Sequence, residues 1–196
     1  MSTIFISYRR SDSRDVTERI YERLIDSFGR RRVFKDVDSI PAGTDFRQEL
    51  KKSLSECQVM LVVIGTNWLA PAFAGQLPRL FEEADYVRLE IEEAMSRGIP
   101  VLPVLVNGGQ LPKQDELPET LNDLPFKQAV AIRHDPDFSP DTQRLARSIE
   151  RLGIRRARKY FWPSLIAIAA LLFVGALTTV AAALPLWLQQ RRIAEQ

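Results

Sequence analysis

Six apolar residues in an unbroken row, Val59 to Ile64, most constrain what this chain can fold into. A half-buried strand alternates apolar with polar, so an uninterrupted run of this length predicts a strand covered on both faces. The surrounding sequence supplies the covering layers. Val16, Ile20, Leu24 and Phe28 recur four apart, the stripe of an amphipathic helix, and Gly29 follows as its stop. Phe46, Leu50 and Leu54 repeat the pattern, with Thr44 or Asp45 as cap. Residues Asp85 to Arg97 read as a further helix, with Asp85 as cap and Gly98 as stop, and Leu145, Ile149 and Leu152 mark the last one. Between the helices lie short apolar runs at Ile4–Ile6, Val33–Phe34, Val101–Val106 and Ala129–Ile132. Pro103 cannot donate to a ladder, which predicts an edge or irregular place for the fourth strand. The stretch 107–127, with Pro112, Pro118 and Pro125, reads as loop. Repeated β-α alternation predicts an α/β domain with a five-stranded parallel sheet over residues 1–154. In such sheets ligands bind beyond the carboxyl ends of the strands, which points to the residues after Ile6, Phe34 and Ile64.

The last forty residues obey a different rule. From Ser164 to Leu188 there is no charged residue. As a helix that stretch extends about 37 Å, more than a hydrocarbon core of about 30 Å. Tyr160, Phe161 and Trp162 stand before it and Trp187 near its end, as interfacial aromatics do. Residues 164–188 are therefore expected to form one transmembrane helix, after a basic and aromatic linker at 155–163 and before a short tail at 189–196. Arg151, Arg155, Arg156, Arg158 and Lys159 precede the stretch, whereas Arg191 and Arg192 follow it. That asymmetry predicts a single-pass protein in a lipid bilayer, with its N-terminal domain on the cytoplasmic side.

Composition excludes several classes. One cysteine, Cys57, and one histidine, His134, rule out a disulfide framework and a Cys/His metal site. Cys57 reads as a small buried hydrophobe and His134 as a surface loop residue. A net charge of +2 gives no global field for nucleic acid. Neither G-x-G-x-x-G nor a P-loop is present, which argues against hydride-transfer and P-loop enzymes. A phospho-receiver would need carboxylates after the first strand, where this chain has Ser7-Tyr8-Arg9-Arg10.

Three segments stand out in order: Phe5-Ile6-Ser7-Tyr8-Arg9-Arg10, then Phe34-Lys35-Asp36-Val37-Asp38-Ser39-Ile40-Pro41-Ala42-Gly43, then Asp85-Tyr86-Val87-Arg88-Leu89-Glu90-Ile91. Together they resemble the TIR (Toll/interleukin-1 receptor) family, in particular bacterial-type members that cleave NAD+. The first resembles box 1, the second the BB loop, and the third the aromatic-then-glutamate stretch of the NAD-cleaving enzymes. Tyr86 stands where that family often has tryptophan. The resemblance covers roughly 1–150 and implies a flavodoxin-like fold and NAD+ as substrate, with no resident cofactor. It implies Glu90 as the catalytic carboxylate, and Tyr8, Arg9, Arg10, Asp36, Ile40, Trp68 and Tyr86 as substrate-binding residues. It also implies contacts with other TIR domains, as a homo-oligomer.

Helix spacing bears on Glu90 independently. Glu92 has Arg88 four residues back and Glu93 has Arg97 four residues on, so both read as surface ion pairs. The neighbours of Glu90 at that spacing are Tyr86 and Ala94, which predicts a carboxylate turned to a ligand. By the same residue-level reading, Arg9 and Arg10 offer guanidinium forks to a diphosphate, and Asp36 and Asp38 suit turns and caps. Trp68 reads either as a pocket wall or as a packed loop anchor. Two functions follow: a membrane-anchored NAD+ glycohydrolase in defence or cell-death signalling, or a non-enzymatic TIR adaptor working through TIR–TIR contacts. The product, ADP-ribose or a cyclic form, is left open.

Overall fold

The computed structural model describes residues 3–35, 46–73 and 75–157. The chain divides after Ala157. The expected BB loop, with Asp36, Asp38 and Ile40, and the expected transmembrane stretch 164–188 lie outside the described residues. Among those described, no helix is long and apolar enough to cross a membrane.

Five strands form one parallel sheet: β1 (Thr3–Tyr8), β2 (Val33–Lys35), β3 (Cys57–Ile64), β4 (Val101–Val106) and β5 (Val130–Ile132), in the order β2-β1-β3-β4-β5. This is the flavodoxin-like order, in which the direction of strand addition reverses between the parallel β1 and β3 and opens a crevice at their carboxyl ends. The helices are α1 (Arg10–Phe28), α2 (Phe46–Ser55), α3 (Tyr86–Ser96) and α4 (Phe138–Arg151). Three 3-10 turns occupy the proline-containing stretch between β4 and β5.

The run Val59–Ile64 is buried throughout, as a strand covered on both faces must be. Its side chains divide by parity. Val59, Leu61 and Val63 join Ile4, Ile6 and Tyr8 beneath α1 and α4. Met60, Val62 and Ile64 join Phe5 beneath α2 and α3. The helical stripe Val16, Ile20, Leu24 and Phe28 fills the first core, and Gly29 ends α1 at φ 91°, a left-handed conformation that favours glycine. Asp85 caps α3, accepting the backbone N–H of Arg88 at 3.0 Å.

Two expectations are corrected. β4 is interior, with β3 on one side and β5 on the other. Pro103 pairs in register with Val62, but β5 begins opposite Val104, so the proline has a strand on one flank only. A missing N–H toward an open flank breaks no ladder. Leu152 falls just past the end of α4 and is exposed, so it does not extend the stripe of Leu145 and Ile149.

Candidate functional site

The reversal between β1 and β3 puts the residues after Tyr8 beside those after Ile64. Three segments meet there through one side chain. The Arg9 guanidinium donates from Nε to the Trp68 carbonyl at 3.0 Å, and from Nη1 and Nη2 to the two carboxylate oxygens of Asp85 at 2.9 and 3.3 Å. The ends of β1 and β3 are thereby tied to the first turn of α3. Both partners are buried, with side chains 4% and 1% exposed. Arg79 adds a second positive charge, its Nε 3.7 Å from the Asp85 carboxylate. Asp85 therefore balances two guanidinium groups while capping a helix, a placement that also suits the positive end of the helix dipole.

This placement of Arg9 differs from the expected one. It does not stand in a solvated loop with its fork open to phosphate; all three contacts engage protein groups. Asp85 was legible in the sequence only as a cap. Its charge partner lies 76 residues away, beyond the reach of any local spacing rule.

A second carboxylate braces the same edge. Asp12, in the first turn of α1, accepts the backbone N–H groups of Gly65 and Asn67, each at 2.8 Å. A Cβ on Gly65 would lie 2.6 Å from that carboxylate, and one on Gly109 would lie 2.4 Å from the Ile64 carbonyl. The turns after β3 and β4 thus press together at a distance that admits only glycine. Sequence reasoning passed over Asp12. An acid in the first turn after a strand was the available signal, but its targets lie 53 and 55 residues on.

Trp68 is 1% exposed and packs among the residues beneath α2 and α3, as the anchor of its loop rather than as an open wall. Tyr8 is buried on the other face, in the core beneath α1 and α4. These two rings, both expected to bind substrate, therefore lie on opposite sides of the sheet. Arg10 is exposed at the start of α1.

Glu90 is 4% exposed. It shares the inward stripe of α3 with the apolar Val87, Ile91 and Ala94. The expectation that it lacks a partner is corrected: Glu90 has a polar or electrostatic contact in the fold, as do Tyr86 and Arg10. Tyr86, one turn earlier, is 59% exposed. The first two turns of α3 thus run from an open aromatic to a buried carboxylate. The other two glutamates behave as their spacing predicts. Arg88 Nε donates to Glu92 at 2.6 Å and Arg97 Nε to Glu93 at 2.7 Å. A cavity of about 320 Å³ lies between α2 and α3, lined by Leu50, Lys51, Leu89, Glu92, Glu93 and Ser96.

The fold finds counterparts. The sequence model of a family described as "TIR domain" matches residues 4–152. Among solved structures, the chain is similar to the TIR domains in the structure of the activated Roq1 resistosome directly recognizing the pathogen effector XopQ. The TM-score is 0.54 at 15% sequence identity, over 75% of this chain and 98% of that one. Among curated proteins, none matches this chain.

Proposed function

Because this chain belongs to the TIR-domain family, we propose that it is a TIR NAD+ glycohydrolase. The observation that carries the proposal is the burial of Glu90 in an otherwise apolar stripe at the start of α3. A carboxylate taken out of water needs a compensating contact, and Glu90 has one in this fold. Ionisable groups held inside at the carboxyl edge of a parallel sheet are candidates for chemistry.

The reaction breaks the bond between nicotinamide and ribose. Nicotinamide departs with the bonding electron pair and becomes neutral, while positive charge grows on the sugar carbon. A fixed carboxylate beside the ribose stabilises that oxocarbenium-like state and holds the sugar hydroxyls. Water then adds to the carbon and loses a proton, giving ADP-ribose; closure by a group of the same molecule gives a cyclic product. NAD+ is a substrate here, consumed at each turnover. Tyr86 and Arg10, both exposed, are assigned to meet its ring and phosphates. Arg9 acts indirectly, by fixing the helix that carries Glu90. Asp36 and Ile40 belong to the loop expected to close the site, from the same chain or from a neighbour in a homo-oligomer. That the similar Roq1 domains were solved within a resistosome supports an assembled state.

The same reading holds the chain on a bilayer through residues 164–188, with residues 1–159 on the cytoplasmic side. It rests on the uncharged length of that stretch and the basic residues before it. The test is to incubate the full chain with NAD+ at high protein concentration and follow free nicotinamide. Release supports the enzyme. No release from the assembled protein supports an adaptor that works by TIR–TIR contact.

A further inference from the structure

The opposite edge of the sheet carries a second feature. Arg30, Arg31 and Arg32 form a 3-10 turn between α1 and β2, at the amino end of the parallel strands. The segment after α4 returns to the same place. Arg32 Nη1 donates to the Arg155 carbonyl at 2.9 Å, and the Ala157 N–H donates to the Ser27 carbonyl at 2.9 Å. Two basic segments about 120 residues apart in sequence thereby become one surface, made by Arg30, Arg31, Arg32, Arg151, Arg155 and Arg156. Of these only Arg156 has an acidic partner among the described residues, Glu150 at 2.9 Å. Arg30, Arg31, Arg151 and Arg155 are exposed, with no ion pair among the described residues.

We propose that this face docks on anionic lipid headgroups. Charge complementarity selects the partner, because a surface of unpaired guanidinium groups suits phosphate and carboxylate headgroups. Chain order supports it too. From Ala157 the sequence runs through Arg158 and Lys159 to the uncharged stretch that begins at Ser164. The proposal rests in part on the reading of that stretch as membrane-spanning. Each basic residue close to such a surface strengthens attachment about fivefold, so four act together strongly even where each is weak. Docking by this face turns the other edge, with Glu90, Arg9 and Asp85, away from the lipid. β3 sets the separation of the two edges at roughly 26 Å for its eight residues. The tethered domain then stands with its candidate site toward the cytoplasm and its neighbours, instead of tumbling on a linker.

The experiment uses the full chain with two vesicle compositions: phosphatidylcholine alone, and two parts phosphatidylcholine to one part phosphatidylserine. Flotation reports attachment and amide hydrogen exchange reports docking. The expected result is flotation with both vesicles. Exchange at 29–33 and 150–157 is then slower on the anionic vesicles by about three- to tenfold. High salt and the combined variant Arg30→Gln/Arg31→Gln/Arg151→Gln should each remove that slowing. Flotation with both but equal exchange overturns the docking face and leaves the anchor standing. Flotation only with the anionic vesicles supports docking and overturns the anchor. Flotation with neither overturns both. Slowing that survives the triple substitution overturns the assignment to this surface. Protection by duplex nucleic acid in place of vesicles overturns the lipid as partner.

Discussion

Replacing Asp85 by alanine leaves the Arg9 guanidinium buried with one acceptor, the Trp68 carbonyl, in place of three. Breaking a buried ion pair by removing one member costs about 3–5 kcal/mol, and losing the cap of α3 adds about 1 kcal/mol. Arg9→Met is the milder change. Asp85 then keeps the Arg88 N–H and the nearby Arg79, so it is not stranded; the expected cost is about 2–3 kcal/mol. In the double variant neither charge is left alone. The two effects should therefore fail to add, with a coupling of about 2–3 kcal/mol. Since whole domains are stable by only about 5–15 kcal/mol, Asp85→Ala is expected to lower the melting temperature by on the order of 10 °C or more. Chemical denaturation of the four proteins in mild non-ionic detergent measures the cycle. Additive effects, or a smaller loss for Asp85→Ala than for Arg9→Met, would refute the claim that this pair holds the site edge together.

Two predictions concern pH and reactivity. Asp141 has its carboxyl lowered to about 2, first by the side-chain hydrogen bond from Arg133, with further help from the Arg133 N–H and the Arg144 charge. A depressed carboxylate contributes stability in full above its unfolded value, near 3.8, and that contribution is lost as pH falls toward 2. Asp141→Asn should thus be less stable at neutral pH by about 1–3 kcal/mol and flatter with pH over that acid range, as read from denaturation at several pH values. Burial pushes the Cys57 thiol up to about 11, so at neutral pH it stays protonated in the fold. A thiol reagent should react slowly with the native chain and rapidly in denaturant; fast native reaction would contradict the burial of β3 at Cys57.

The architecture was largely legible because parallel sheets write themselves in local patterns. The run Val59–Ile64 fixed a central strand, and four-residue spacing in α1 fixed the face it buries. Pro103 misled because a residue rule for edges was applied without knowing where β5 starts, which only the register reveals. The site was legible in part. Glu92 and Glu93 paired as spacing predicts because their partners lie on the same helix. Arg9 did not follow the reading of a free fork, because its partners sit 59 and 76 residues away and local sequence carries no signal for them. Tyr8 and Trp68 were grouped by their places after neighbouring strands, yet strand parity sends Tyr8 to the far face.

The most direct test of the central claim is nicotinamide release from NAD+ by the assembled full chain carrying Glu90→Gln, beside the parent, Glu92→Gln and Glu93→Gln, with thermal melts on all four. Glutamine keeps the size of Glu90 and one acceptor oxygen but removes the charge that would face the cationic sugar. Turnover should fall by about 10²–10³ in that variant, with a folded melt retained. The two controls disturb pairs worth about 0.2–0.5 kcal/mol each and should keep near-parental turnover. Parental activity in folded Glu90→Gln, or an equal loss in all three variants, would contradict the assignment of catalysis to Glu90.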